Sequence, residues 1–182
     1  MGSKKLKRPN ITKGAIAGAV GGIAGAWTMS RSARLTKRIT GAADGASRAE
    51  LARLEARRFV DGSSQELDSI GAAADWLDSR VFRRRCSPTQ RALLAAGVHY
   101  ATGASFGALY GALAEVAPKT TVGLGVPVAV AESAILESSM SSLLRLGGPR
   151  GYRWTDHAQS ALDHGVYGAT LELVRRTMRQ AR

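Results

Sequence analysis

Seven ionisable side chains lie in or beside apolar stretches of the sequence, and these are the residues best suited to chemistry. They are His99, Glu115, Glu132, Glu137, Asp163, His164 and Glu172. A charged side chain at the centre of a bilayer costs about 2.5–3.5 kcal/mol on insertion scales, so such groups are rare there and usually have a role. Burial raises the pKa of a carboxyl group, and histidine changes charge near neutral pH. The set therefore predicts either proton relay or structural pairing within a membrane.

The common catalytic and metal-binding motifs do not occur in the sequence. It contains no HExxH, CxxC, GxSxG or GxxxxGK[ST] pattern, and Cys86 is its single cysteine. Asp156–His157 and Asp163–His164 are seven residues apart, which puts both pairs on roughly one helix face, but this is a weak metal signature. We expect a protein that is not an enzyme and holds neither a cofactor nor a metal.

The composition favours closely packed helices over a conventional soluble core. Glycine accounts for 21 of the 182 residues and aromatic side chains for only 5%, which is poor material for a well-filled soluble α/β core. The net charge of +12 favours an anionic partner, either nucleic acid or an anionic membrane surface. The mean hydropathy of −0.10 is low for a protein with several membrane spans, so each segment has to be considered separately.

The chain divides into a basic tail (1–13), a first transmembrane helix (14–30), a polar insert (31–91) and a three-helix membrane region with a basic C-terminal tail (92–182). The first helix has 17 residues without a charge, which is at the short end of the range for a transmembrane helix. The alternative interpretation of this stretch is a cleaved signal peptide. The insert is arginine-rich, with short helices expected over 48–60 and 65–82. The 23 residues Ala92–Ala114 carry no formal charge unless His99 is protonated, and two further spans are expected over 120–144 and 156–174.

Glycines recur at helical spacing in these spans and predict how the helices pack. The packing positions are Gly14, Gly18, Gly22, Gly103, Gly107, Gly111, Gly165 and Gly168, and Gly21 and Gly25 start a second row in the first helix. Residues four apart form one ridge of a helix, and missing side chains let a partner backbone approach in lipid. A loosely packed soluble helix is the alternative, but each glycine would then cost about 0.5–1 kcal/mol relative to alanine. We expect an all-α, membrane-embedded bundle of about four helices packed through Gly/Ala stripes, with the polar insert between the first and second.

A six-residue pattern, YGAxxE, occurs at Tyr110–Glu115 and again at Tyr167–Glu172. The match predicts that the second and fourth helices are similar. With one helix between them they would run parallel, which places both glutamates near the same end of the bundle.

Clustered arginines flank the apolar spans and predict contacts with anionic lipid headgroups. They are Arg31, Arg34, Arg83, Arg84 and Arg85. The same positive charge could instead serve nucleic-acid binding by a soluble protein, but the sequence contains no recognisable nucleic-acid-binding motif. We therefore expect the partners to be the lipid bilayer, its anionic headgroups, and a second copy or another membrane subunit, with no specific nucleic acid.

Three stretches resemble the YagU-like family of bacterial inner-membrane proteins. They are HYATGASFGALYGALAEVAP, the following GLGVP and the late DHGVYGATLELVRR, and GAIAGAVGGIAGAWTM fits the family's opening helix more loosely. The resemblance implies a helical bundle that crosses the bacterial inner membrane several times and is loosely associated with acid stress. It supplies no catalytic residues. The third span departs from the family pattern, where an acidic pair is usual, because Ser133 follows Glu132 here.

Three functions remain open from the sequence. The first is a non-enzymatic inner-membrane protein with a structural or acid-stress role, held together by glycine-stripe packing. The second is a proton-linked channel or transporter that uses Glu132, Glu137, Asp163 and His164. The third is an accessory subunit of a larger membrane complex.

Overall fold

The computed structural model describes residues 9–43, 87–143 and 154–181, and all regular secondary structure within them is helical. The elements are α1 (Ile11–Ala43), α2 (Pro88–Val116), a 3-10 segment (Pro118–Gly125), α3 (Val126–Leu143) and α4 (Trp154–Gln180). The predicted all-α class with four helices is confirmed for this part of the chain. The short helices expected in the insert, and Arg83, Arg84 and Arg85, lie outside the described residues.

The first two helices begin at side-chain caps. The Oδ1 atom of Asn10 accepts a hydrogen bond from the backbone N–H of Lys13 at 2.9 Å, one turn into α1. Ser87 and Gln90 form a reciprocal capping box at the start of α2, and Pro88 occupies the first turn, where its missing N–H costs nothing. Each cap satisfies amide groups that the first helical turn leaves unpaired.

Helix α1 continues 13 residues beyond Ser30, where the polar insert was expected to begin. Residues 31–38 include arginine, leucine and lysine, which are good helix formers, and they contain no glycine or proline to end the helix. The appearance of charge at Arg31 therefore marks a change of surroundings along the helix axis, and the helix itself does not stop there.

The third predicted span is helical in the α sense only from Val126 onward. Gly123, Leu124 and Gly125 have φ values of 65°, 56° and 73°, and this left-handed run separates the 3-10 segment from α3. Glycine adopts such torsions readily, whereas Leu124 pays roughly 1–2 kcal/mol for them. Pro127 then suits the first turn of α3, because its fixed φ is already helical.

Helix α1 packs against both α2 and α4 and is antiparallel to each. Going up α1, Gly14 lies against Gly111 and Gly22 against Gly103 of α2. On the α4 side, Gly21 lies against Leu171 and Gly25 against Tyr167. Since α2 and α4 are both antiparallel to α1, they are parallel to each other, as predicted from the single helix between them in the chain.

The glycine positions of α1 and α2 meet backbone to backbone. A Cβ atom added to Gly18 would overlap the carbonyl oxygen of Gly107, and one added to Gly22 would overlap that of Gly103. On α4, a Cβ at Gly168 would lie 2.6 Å from the Ala129 Cβ of α3. Gly165 differs, because its added Cβ would make an ordinary contact of 3.6 Å with Val126 Cγ1.

Large apolar side chains point out of the bundle, while its interior is small and polar. Ile16, Val20, Ile23 and Trp27 on α1 are between 43% and 57% exposed, whereas Glu172 is completely buried. The buried apolar residues are alanines, two tyrosines, Met29 and Leu171. A soluble fold usually places its large aliphatic residues inside and its charges outside. In the described helices most large aliphatic residues are instead exposed, and a few charged residues, among them Glu172 and Arg175, are buried.

The glycine contacts can be tested with two alanine substitutions in the same helix. Gly107→Ala places a methyl group against the Gly18 carbonyl and the Gly22 backbone, and overpacking of this kind costs about 1–3 kcal/mol. Gly97→Ala is the matched control, because nothing lies within 4 Å of its added Cβ and alanine improves helix propensity by about 0.5–1 kcal/mol. We expect Gly107→Ala to lower the melting temperature in mild detergent, measured by circular dichroism, and Gly97→Ala to leave it unchanged or raise it. Equal melting temperatures would show that the close contact is not needed.

Candidate functional site

Five charged residues meet at the end of the bundle where α1 begins and α2 and α4 end. We call them the charged cluster: Glu115 from α2, and Glu172, Arg175, Arg176 and Arg179 from α4. Two carboxylates and three guanidinium groups leave it with a net charge of +1. The parallel arrangement of α2 and α4 is what brings the two glutamates of the YGAxxE repeats to the same end.

Both oxygens of Glu172 are fully engaged. Arg175 donates from Nε to Oε2 at 2.7 Å and from Nη2 to Oε1 at 2.9 Å. Arg176 donates from Nε to Oε1 at 2.6 Å, and the Tyr110 hydroxyl donates to Oε2 at 3.0 Å. Four donors around one buried carboxylate offset the cost of removing it from water.

Glu115 joins the beginning of α1 to the end of α4. Its two oxygens accept a bidentate pair of bonds from Arg179, each 2.7 Å long. The Oε2 atom also accepts from the backbone N–H of Asn10 at 3.0 Å. Arg175 Nη1 lies 3.8 Å from Oε1, so this arginine lies between the two glutamates and contacts both.

Arg176 extends the cluster to the 3-10 segment. Its Nη2 atom donates to the carbonyl oxygen of Thr121 at 3.2 Å, while its side chain remains 43% exposed. The cluster therefore contacts α1, α2, α4 and the 3-10 segment. Because both carboxylates are held by bidentate guanidinium groups, the arrangement is suited to fixing helix ends rather than to exchanging protons.

The two tyrosines of the repeat bridge helices in different ways. Tyr110 donates to Glu172, and Gly125 lies directly against its hydroxyl. Tyr167 donates to the Gly103 carbonyl of α2 at 2.8 Å, and its ring lies over Gly25 of α1. Both side chains are buried, so they fill the space between α2 and α4.

The remaining predicted polar residues lie nearer the other end of the bundle. His99 Nε2 lies 3.2 Å from the Ala26 carbonyl oxygen and 3.1 Å from Ser30 Oγ, which joins α2 to α1. Asp163 and His164 are both 6% exposed on α4.

Asp163 and His164 each contact a residue one turn earlier in α4. Gln159 Nε2 donates to Asp163 Oδ2 at 2.8 Å, and His164 Nδ1 lies 2.9 Å from the Ser160 carbonyl oxygen. The His164 contact places the proton on Nδ1, because a carbonyl oxygen can only accept.

The third helix carries two of the predicted carboxylates. Glu132 is half-buried beside the buried Ser133, and the side chain of Glu137 lies outside the described residues. The predicted polar set therefore separates into the Glu115–Glu172 pair, the His99 contact with α1, and the buried Asp163 and His164. Within the described residues, no group of three or more His, Cys, Asp or Glu side chains is arranged to hold a metal ion.

Two of the arginines predicted to contact lipid are described, and both project from α1. Arg31 and Arg34 are exposed, and the Arg31 Cζ atom lies 5.2 Å from the Trp27 ring centroid. This distance is typical of a cation–π contact.

The sequence analysis did not identify the arginines of α4 as members of the cluster, because it assigned them to a basic C-terminal tail. Arg175 and Arg176 stand three and four residues after Glu172, the spacing at which opposite charges pair on one helix face. That signal was present in the sequence. The pairing of Arg179 with Glu115 across two helices had no local signal.

No protein-family model, curated protein or solved structure matches this chain.

By length and composition, one described helix could cross a membrane: residues Thr89–Val116 of α2, 28 residues long.

The charged cluster predicts unequal costs for two neutralising substitutions. Glu172→Gln leaves the buried Arg175 without its main counterion, and breaking a buried pair in this way costs about 3–5 kcal/mol. Arg176→Gln removes a partly exposed charge from the same carboxylate, and exposed pairs contribute about 0–1 kcal/mol. We expect a large fall in melting temperature for the first variant and a small one for the second. Equal effects would contradict the structural role of the buried pair.

Proposed function

We propose that the chain is a non-enzymatic integral membrane protein whose helices cross the bacterial inner membrane several times. The observation that carries the proposal is the distribution of side chains, with most large apolar residues outward and glycine, tyrosine and a few paired charged residues inward. Lipid accepts an apolar outer surface without cost, and small residues provide close helix contacts there. An aqueous surface with this many large apolar side chains would favour aggregation.

The dimensions of α1 support the same proposal. Lys13 and Arg31 bound its charge-free stretch and are eighteen residues apart, which corresponds to about 27 Å of helix. The hydrocarbon core of a bilayer is about 30 Å thick. Both residues are exposed on α1, so each could reach a headgroup region while the apolar face between them contacts lipid.

Average hydropathy understates the apolar character of the outer surface. Five of the six glycines of α1 dilute the average, although these five lie in contacts with α2 and α4. In α4, Glu172 and Arg175 lower the average but are buried in the charged cluster. The outward side chains of α4 include Leu162, Leu173 and Met178. We therefore propose that α1 and α4 cross the membrane with α2, shielded by one another.

The proposed role is structural. Glycine contacts hold the middle of the bundle and the charged cluster holds one end, and the outer faces remain available to lipid, to a second copy or to a larger membrane complex. A link to acid stress rests only on the resemblance to the YagU-like family. Proton-linked transport is the second proposal, because Asp163 and His164 are adjacent buried ionisable groups on a helix that would cross the membrane.

Cysteine labelling tests the multi-pass arrangement helix by helix. With Cys86 replaced by serine, single cysteines are placed on the outer face at Ile23 of α1, Ser105 of α2 and Leu173 of α4, all of which are exposed. Lys119→Cys, on the exposed 3-10 segment, is the control. In open membrane fragments, a membrane-impermeant maleimide should label the control and leave the three outer-face positions unlabelled.

The same four variants are then denatured in detergent, where all of them should label and so report that each thiol is intact. Rapid labelling of the three outer-face cysteines in the membrane fragments would mean that these faces contact water. That result would overturn the proposal, and protection of only one helix would reduce it to a single crossing.

A further inference from the structure

The exposed side chains of α1 change from apolar to basic toward the C-terminal end of the helix. Its exposed side chains follow one helical row in which three aliphatic residues are followed by an aromatic residue and then by two arginines. The row is Ile16, Val20, Ile23, Trp27, Arg31 and Arg34. Successive members are three or four residues apart, which keeps them on the same side of the helix.

The basic part of this row has no acidic residue on its own helix. None of the 33 residues of α1 is Asp or Glu, whereas the arginines of α4 are paired with Glu115 and Glu172. Arg31 lies beside the Trp27 ring, with its Cζ atom 5.2 Å from the ring centroid. Tryptophan favours the headgroup level of a bilayer, so the ring marks the depth at which the arginines leave the hydrocarbon.

We infer that Arg31 and Arg34 bind the phosphate of an anionic phospholipid in the leaflet where α1 leaves the hydrocarbon. This inference rests on the proposed membrane function and adds a lipid class and a site to it. Guanidinium groups bind phosphate oxygens through paired N–H donors. The arginines continue an apolar face, so the ligand that fits the whole row has an acyl part beside Val20 and Ile23 and a negatively charged head beside Arg31.

Charge gives the size of the expected preference. Each arginine near an anionic bilayer surface contributes about fivefold to binding at physiological ionic strength. The row should therefore favour phosphatidylglycerol over phosphatidylcholine, and the preference should decrease as salt shortens the screening length. A zwitterionic lipid carries the same phosphate but no net charge, so it is the appropriate comparison.

Fluorescence quenching of Trp27 measures this preference at the site. With Trp76 and Trp154 replaced by phenylalanine, Trp27 is the single tryptophan of the chain. The protein is reconstituted into phosphatidylcholine vesicles that contain the same fraction of either brominated phosphatidylglycerol or brominated phosphatidylcholine. We expect the brominated anionic lipid to quench Trp27 more strongly.

Two variants locate the preference. Arg31→Gln combined with Arg34→Gln should make the two brominated lipids equally effective, while each still quenches. Lys119→Gln is the matched control, since it removes a positive charge from the exposed 3-10 segment and should retain the preference. The comparison is a ratio within each variant, so a change in the intrinsic emission of Trp27 cancels.

The possible failures are distinguishable. If neither brominated lipid quenches Trp27, then α1 does not face lipid and the proposed membrane function is itself overturned. Equal quenching in the parent protein overturns the anionic site and leaves the membrane function intact. A preference that persists in the double arginine variant also overturns the site, because the selectivity would then arise elsewhere.

Discussion

The close approach of α1 to two helices at once is the constraint on which the rest of the bundle depends. One glycine row of α1 receives α2 and a second row receives α4, with backbone atoms where side chains would otherwise lie. A helix that presents two glycine rows has little room for large inward side chains. Its Ile16, Val20 and Ile23 therefore lie on the remaining outer face. Because α1 orients both neighbours, it also fixes α2 and α4 parallel to each other.

That parallel arrangement explains the polar interior. The two copies of the repeat are offset along the axis, since Tyr110 bonds to Glu172 whereas its counterpart Tyr167 bonds to Gly103. Arg175 spans this offset and contacts both Glu115 and Glu172 at one end of the bundle. The gap that α1 leaves between α2 and α4 is filled by Tyr110 and Tyr167, whose hydroxyl groups bond to the partner helix. Close contacts in the middle and charged groups at one end are therefore complementary: the first supplies proximity, and the second supplies directional bonds that fix the helix ends.

The sequence predicted which residues share a helix face better than it predicted which helices pack against each other. A four-residue period identifies Gly18 and Gly107 as members of ridges, but only the packed structure shows that these two ridges meet each other. Similarly, the spacing of Glu172 and Arg176 is a local signal, whereas Glu115 and Arg179 are brought together by the fold. The first charged residue after the apolar stretch, Arg31, did not predict the end of α1. A charged side chain reflects the surroundings of the helix, whereas helix formation depends on the backbone preferences of the residues. The left-handed torsions of Gly123–Gly125 were hidden within an apolar run that resembled a continuous span.

The central claim is that the apolar outer surface of the bundle faces lipid, and membrane fractionation tests it most directly. Membranes from cells that express the chain are washed first with concentrated salt, then with alkaline carbonate, and finally with a mild detergent. The account predicts that the protein stays with the membranes through both washes and is released only by detergent, since salt screens charges but does not detach a chain embedded in hydrocarbon. Release by salt alone would show that the chain is held by its net charge of +12, and it would contradict the account.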